Sequence, residues 1–397
     1  MFNTDTCRRC GACLVACPFV KMSKQEAKRE IVRLVDQGRN DFVLKTCSAC
    51  GYCDYICPAQ SNPSHLRKSI LQAHFRETGV GALRIISDKV PFSIMSAGLE
   101  TEKREKLERL AALTNPGPVQ SGEIFYLGCA LSYIYTDLAQ SPLFQNLPAV
   151  GGMKYCCGAY AWHTFGEKEA RAAGRRLLSD FDKAGIKRVI TFCPECEDML
   201  ARVYPSLIEG FDIKTRSVTD YLWEEYLAAR LLFTHPVNKT VAFHDPCAGR
   251  TPGCKQQEVP RRLLKAMGAK VVEMKHNREK TICCGTPLVG RNSSLAARVA
   301  SERVLEAVDA GADTIAVGCA GCFALDDTAD VHNMETYHII ELVQMAAGDK
   351  PPHRIKEVRA QLIDHVLTRI AADPALMTQK YVLENGHLRA LEPQPPL

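Results

Sequence analysis

The chain has 397 residues, 46% of them hydrophobic and 24% charged, with a net charge of +5. That length exceeds a single core and implies two or three domains of ordinary globular composition. Lys and Arg are dispersed rather than clustered, which argues against a nucleic-acid partner and reads as a solvated surface.

The N-terminus runs straight to Cys7, with no charged-then-apolar leader and no twin arginines before an apolar stretch. Cys7, Cys10, Cys13 and Cys17 read C-x-x-C-x-x-C-x-x-x-C-P, and Cys47, Cys50, Cys53 and Cys57 repeat that spacing position for position. Secreted disulfide proteins are short and lack such tandem spacing, so a reducing cytoplasm is the expected compartment. Structural zinc sites use two separated C-x-x-C pairs, not a third cysteine and a C-P after them. The spacing indicates two 4Fe–4S cubanes, with Gly11 and Gly51 letting the backbone wrap close and offer N–H groups to sulfur.

Between the quartets, Ala27, Ile31, Leu34 and Val35 share a helical face and Gly38 closes it. After the second quartet, Ser64 is the expected N-cap of a helix with Leu66, Ile70 and Ala73 on one face and Gly79 beyond its end. Residues 1–98 thus form a mostly helical unit with two cluster loops. The most apolar run, residues 80–98, is broken by Arg84, Asp88, Lys89 and Pro91; it is too short to span a membrane and is left open to a peripheral contact with a partner or membrane surface. Residues 99–122 read as a linker, a charged helix at 100–113 followed by Asn115-Pro116-Gly117-Pro118.

From residue 123 the texture is α/β and an internal repeat appears. Residues 123–129 (EIFYLGC) and 240–245 (TVAFHD) are apolar strands leading to Cys129 and Cys247. Each CCG turn (Cys156-Cys157, Cys283-Cys284) precedes a helix, with Ala170, Leu177, Phe181 and Ala184 on its face in one copy and Ala300, Val304, Ala307 and Val308 in the other. Each helix ends at a glycine, and a β run then ends at C-x-x-C (Cys193/Cys196, Cys319/Cys322). Gly185 and Gly311 are offset by 126, as are Cys193 and Cys319, and the CC pairs by 127. A period this long is a duplicated domain, 123–235 and 236–349, each with a mainly parallel sheet bearing cysteines at its strand ends. Residues 350–397 read as a helix, 355–370, and a polar, Pro-rich tail.

The quartets and the long helical insert between them resemble the α-helical ferredoxin module of fumarate reductase iron–sulfur subunits and of the C-type subunit of heterodisulfide reductase. In two-cluster ferredoxins the C-P cysteine ligates the other cluster. That resemblance implies one cluster on Cys7, Cys10, Cys13 and Cys57 and another on Cys47, Cys50, Cys53 and Cys17.

Five thiolates exceed what a cubane needs, so each of the sets Cys129, Cys156, Cys157, Cys193, Cys196 and Cys247, Cys283, Cys284, Cys319, Cys322 calls for a larger or opened cluster. These sets resemble the CCG, or cysteine-rich, domain family. A two-cluster ferredoxin followed by two CCG repeats is the order of the D-type subunit of heterodisulfide reductase and of glycolate oxidase and benzoyl-CoA reductase electron-transfer subunits. The likeness covers roughly residues 1–345. It implies a multidomain fold, an α-helical ferredoxin followed by two α/β CCG domains, with a non-cubane 4Fe–4S cluster on all five cysteines of each repeat and terminal chemistry at Cys156, Cys157, Cys283 and Cys284. The first gap in the first repeat is shorter, 26 residues against 35 between the first two cysteine positions of the second.

Near these sets, His244 and Asp245 precede Cys247, where a hydrogen bond to a thiolate, a turn-stabilising role and a satisfied strand-end histidine are all open readings. His163, six residues past Cys157, is a candidate proton donor. Cys254 reads as a free thiol. Neither G-x-G-x-x-G nor a P-loop occurs. Electrons must therefore come from or go to another subunit, a flavoprotein or reductase of a multi-subunit complex. The expected function is an iron–sulfur electron-transfer subunit; the alternatives are a catalytic heterodisulfide or thiol–disulfide reductase and a non-enzymatic assembly or sensor protein.

Overall fold

The computed structural model describes residues 1–38, 42–87, 89–90, 92–113, 117, 119, 122–133, 135–139, 141–144, 147–250 and 257–391. Asp88, Pro91, Asn115, Pro116, Pro118 and Cys254 lie outside the described residues.

In the N-terminal unit the first long helix is Lys24–Asp36. Ser23 starts it through a reciprocal capping box: Ser23 Oγ accepts from the Glu26 N–H at 3.3 Å, and the Ser23 N–H donates to Glu26 Oε2 at 2.8 Å. Ala27, Ile31 and Leu34 are buried, as their spacing predicts. The second helix, Pro63–Thr78, departs from expectation at its start and on its face. Asn62 is the N-cap; Ser64 instead donates to Asp54, from its hydroxyl at 2.5 Å and its N–H at 2.7 Å. The buried face is Arg67, Leu71 and Phe75, while Leu66 and Ile70 are half-buried and Ala73 is exposed. A buried arginine on the inner face defeats a reading by apolar period alone. Beyond the helix lies β1 (Val80–Gly81). In the apolar run that follows, Ile85, Val90, Phe92 and Met95 are buried within the chain's own interior.

Residues 100–113 are not one helix. Ser93 caps a helix Ile94–Thr101, Glu102 then turns extended (φ −83°, ψ 152°), and a second helix follows at Arg104–Leu113.

The two repeats share one topology. β2 (Glu123–Gly128), β3 (Ala149–Gly151), β4 (Arg188–Thr191) and β5 (Lys214–Ser217) form a parallel sheet of order β3-β2-β4-β5. β6 (Thr240–His244), β7 (Lys270–Val272), β8 (Thr314–Val317) and β9 (Glu335–His338) form a second, β7-β6-β8-β9. Parallel strands need helical crossovers. Helices Glu167–Ala184 and Ser293–Asp309 supply the corresponding ones, burying Leu177 and Phe181 in the first and Val304 and Ala307 in the second. Val308, expected on that face, is 37% exposed. The chain reverses after these helices at Gly185 and Gly311, both left-handed (φ 71° and 75°).

After the helix Ile355–Ala372 the chain does not end in a mere polar tail. β10 (Lys380–Glu384) and β11 (His387–Ala390) make an antiparallel hairpin, and β10 pairs with β1. Its turn is Asn385-Gly386 (φ 50° and 79°), a tight-hairpin signal. Both turn N–H groups donate to the buried Glu169 carboxylate, at 3.0 and 2.8 Å, which ties the hairpin to the first repeat. Among the described residues no helix is long and apolar enough to cross a membrane.

Candidate metal centres

In the N-terminal unit Cys13, Cys47 and Cys53 are buried, and every described cysteine is free. Gly11 (φ 75°) and Gly51 (φ 74°) turn the two loops. A Cβ at Gly11 would stand 2.7 Å from the Ala27 carbonyl carbon, so glycine is required there. The neighbouring thiols whose charge raises the Cys13 pKa are Cys57 and Cys10, and those that raise the Cys47 pKa are Cys50 and Cys17. Each C-P cysteine is thus placed beside the other quartet. Backbone N–H groups of Ala49 and Ser61 donate to Cys47 Sγ and Cys57 Sγ, both at 3.4 Å.

Arg67, which sequence reasoning missed, lies between the quartets and is 4% exposed. Its Nη1 donates to Cys17 Sγ at 3.7 Å and its Nη2 to the Cys13 carbonyl at 3.1 Å. Burial opposes its charge, yet the Cys53, Cys17, Cys47 and Cys13 thiols around it hold the guanidinium well above its ordinary range. Burial pushes the Cys13, Cys47 and Cys53 thiols up, and Arg67 is the chief opposing charge. Arg67 Nε and Ser48 Oγ are buried and make no hydrogen bond. Orphaned donors among clustered thiols fit a group that carries acceptor sulfur.

The ten cysteines of the repeats form one continuous series. Thiols that shift one another's pKa run Cys129–Cys156–Cys157–Cys196–Cys193, cross between the repeats at Cys193–Cys319, and continue Cys322–Cys284–Cys283–Cys247. Cys157 Sγ and Cys196 Sγ are 3.3 Å apart. Glycine keeps the backbone close: a Cβ on Gly128 (φ 65°) would lie 3.1 Å from Cys196 Sγ. The Gly285 N–H donates to Cys283 Sγ at 3.4 Å. A soft all-thiol donor set of this density fits iron–sulfur clusters.

The polar surroundings differ. His244 is 1% exposed; its Nδ1 faces Arg303 Nη2 at 3.3 Å and its Nε2 makes no hydrogen bond. One ring nitrogen and the Cys284 and Cys322 sulfurs all lie within 4.8 Å of one another. Arg303 has no acceptor, so it fixes Nδ1 as the unprotonated nitrogen and Nε2 as the N–H. Asp245 forms a buried ion pair with Arg261 at 2.8 Å and accepts from the Arg278 N–H at 2.7 Å, a structural role. In the first repeat His163 Nε2 meets Glu195 Oε2 at 3.0 Å. Glu195 stands between Cys193 and Cys196, where the second repeat has Gly321.

The second repeat grips the ferredoxin unit at carbonyls beside its cysteines. Arg250, three residues past Cys247, donates from Nη1 to the Cys50 carbonyl and lies 5.4 Å over the Tyr52 ring. Its Nε and Nη2 donate to the Glu279 and Thr281 carbonyls. Arg291 Nη2 donates to the Cys47 carbonyl at 2.5 Å, and Arg298 Nη2 to the Pro18 carbonyl at 3.3 Å. The first repeat meets the same unit through the Pro63–Thr78 helix, Gln72 donating to the Trp162 carbonyl at 2.8 Å and Arg76 to that of Phe165 at 2.9 Å.

A cysteine-rich (CCG) domain model matches residues 125–201 and 241–325, and a 4Fe-4S dicluster domain model matches residues 1–67. The chain is 24% identical over 400 residues to the D-type subunit of the dihydromethanophenazine:CoB–CoM heterodisulfide reductase of Methanosarcina barkeri, covering 88% of this chain and 95% of that one. It is 24% identical over 374 residues to the B-type subunit of the fumarate reductase (CoM/CoB) of Methanothermobacter marburgensis, covering 86% and 72%. Among solved structures, a hypothetical protein from Helicobacter pylori shares the fold at a TM-score of 0.53 and 12% identity, over 84% of this chain and 68% of that one. The chain carries a 4Fe-4S dicluster domain and two cysteine-rich (CCG) domains, and it is an iron–sulfur oxidoreductase subunit similar to the D-type subunit of heterodisulfide reductase.

Proposed function

We propose that the chain is the electron-transfer subunit of a cytoplasmic oxidoreductase complex and works beside a flavoprotein or reductase subunit. Its ferredoxin unit would hold two cubanes, on Cys7, Cys10, Cys13 and Cys57 and on Cys47, Cys50, Cys53 and Cys17. Its repeats would hold two non-cubane 4Fe–4S clusters on the ten remaining paired cysteines. Such clusters, when bound, conduct single electrons. The observation that carries this reading is Arg250: one side chain bonds the Cys50 carbonyl and the Thr281 carbonyl two residues before Cys283, joining a ferredoxin loop to a CCG loop.

The test is Arg250→Met combined with Arg291→Met. Iron content should stay near wild type, at about sixteen atoms for four 4Fe–4S clusters. Reduction of the repeats by an electron donor to the ferredoxin unit should slow about tenfold or more, read by rapid-freeze EPR, since misplacement of about 1 Å costs a positioned reaction heavily. Unchanged transfer in the double variant would sink the reading.

The contact between Cys193 and Cys319 favours a second reading, in which the junction of the repeats cleaves a disulfide. Steady-state turnover of a thiol disulfide with reduced viologen separates the two.

A further inference from the structure

A cavity of about 980 Å³ opens beside the first repeat, and Cys156 and Gly158 line it. It lies away from the junction of the repeats: Cys156 neighbours Cys129 and Cys157, and Cys193 is the thiol that reaches the second repeat. The C-terminal hairpin forms one wall through Tyr381, Leu383 and Leu388, and Val90, Met153 and Tyr160 form others. The hydroxyl of Tyr160 is buried and makes no hydrogen bond. Apolar and aromatic walls with a few polar groups, at the upper end of ordinary ligand-site volumes, describe a small-molecule site.

The charge of the lining is one-sided. Lys89, Lys154 and Arg176 border the cavity, are exposed, and make no ion pair among the described residues. Of the two lining carboxylates, Glu169 is taken by the hairpin turn N–H groups and Asp180 lies 4.0 Å from Lys183. Lys154 Nζ also lies 5.3 Å over the Tyr155 ring, and cations without a carboxylate partner at the rim of an apolar slot select a ligand with an anionic group on a flat apolar body. Contact with Cys156, a thiol of the first five-cysteine set, places such a body for electron exchange.

We propose that this cavity binds a planar aromatic redox carrier bearing an anionic group, a flavin phosphate or a quinone of equivalent charge. The inference rests on the electron-transfer reading above only in calling the ligand redox-active. With a reduced iron–sulfur cluster held by the first set, the oxidised carrier would take up two electrons from it one at a time, and two protons from solvent at the open rim would complete its dihydro form. The hairpin that the sequence presents as a tail is what closes the site.

The experiment titrates the full, anaerobically reconstituted chain with riboflavin 5′-phosphate, 1,2-naphthoquinone-4-sulfonate and neutral menadione, by calorimetry and by EPR of the reduced protein. At least one anionic probe should bind in the micromolar range, tighter than menadione, and should perturb a single cluster signal. Leu388→Trp, which pushes an indole into the cavity from the hairpin wall, and the surface double variant Lys154→Glu with Arg176→Glu should each raise its Kd tenfold or more while leaving iron content unchanged. Absence of binding by both anionic probes at 1 mM overturns the proposal, as does a Kd that neither variant changes. If Leu388→Trp fails to fold, the charge-reversed variant decides alone. Low iron with intact probe binding by calorimetry would break the electron-transfer reading and leave the site standing.

Discussion

The two CCG repeats have the same strand order and the same five-cysteine set, yet their polar interiors are unlike. In β2 Tyr126 pairs with Thr191, and in β6 His244 pairs with Val317; each partner stands two residues before its C-x-x-C. The residue beside the thiols is therefore tyrosine in one copy and histidine in the other. Leu177, fully buried, occupies the helix position that Arg303, also fully buried, takes 126 residues on. Leu127 likewise corresponds to Asp245. The two copies share the scaffold, and the second carries buried charge around its thiols. Since buried charge costs stability unless paired, such retention marks a position where the environment of a bound group matters. The second copy also holds the arginines that grip the ferredoxin loops, whereas the first copy holds the cavity.

The largest test removes one thiol from the second copy and one from the ferredoxin unit that it grips. Cys284→Ser should remove about four of about sixteen iron atoms. It should abolish terminal turnover and leave the N-terminal cubanes reducible by dithionite, measured by iron analysis and EPR. Cys53→Ser should instead slow electron supply while the repeats still assemble. Turnover near wild type in Cys284→Ser would show that the second repeat is structural, and the comparison would then lose its meaning.

Asp245→Ala tests the buried charge directly. Arg261, 3% exposed, would keep the partly exposed Glu273 as its carboxylate partner, together with the Gln257 carbonyl. Breaking a buried pair by removing one member costs about 3–5 kcal/mol. Anaerobic urea denaturation should show that loss, and Leu127→Ala in the first repeat should show a cavity cost of about 2–5 kcal/mol with no buried charge left unpaired.

Much of this is legible in the residues. Thiolate chemistry forces strict local spacing, so the four cysteine sets and the repeat stand out without a structure. Helix faces made of Ala27, Ile31 and Leu34, or of Leu177 and Phe181, follow the helical period and are buried as that period predicts. Arg67 is not legible, because a charged residue at an inward position looks like a solvated one until the thiols of two loops 40 residues apart are brought round it. Arg250 and Glu195 are hidden for the same reason. The hairpin escapes on different grounds: Asn385-Gly386 is a local signal, but β10 is completed only by pairing with β1, some 300 residues earlier, and propensity carries no information about such a partner.

His244 offers a finer probe. With Nδ1 held by Arg303, its Nε2–H is the donor available to sulfur at Cys284 and Cys322. A hydrogen bond to cluster sulfur favours the reduced, more negative state. His244→Phe should therefore shift the second repeat's reduction equilibrium about tenfold toward oxidised, which is about 59 mV for one electron. Tyr126→Phe should leave the first repeat's potential in place, since the Tyr126 hydroxyl donates to the Tyr155 carbonyl rather than to sulfur. Equal shifts in both variants would erase the asymmetry.

The smallest expected effect lies on the far side of the second sheet, at the helix that follows β9. Glu341 accepts from the His338 N–H at 2.7 Å and meets His353 Nδ1 at 2.9 Å. The hydrogen bond to Glu341 raises the His353 pKa, with burial opposing and the charges of Glu341, Asp326 and Glu335 adding to the rise. A histidine whose folded pKa is raised contributes stability that is fully present below its unfolded pKa of about 6.5 and lost as pH climbs through the folded value. The second repeat should thus lose a little stability above about pH 6.5, on the order of 0.5–1 kcal/mol for a partly exposed pair. At the matching helix start of the first repeat, Ser217 Oγ accepts from the Asp220 N–H at 3.0 Å, and no histidine takes part. Urea midpoints measured on either side of that pH should therefore differ for wild type and coincide for His353→Gln once the other titrating groups are matched by subtraction. If His353→Gln retains the full pH slope, the His353–Glu341 pair is not its source.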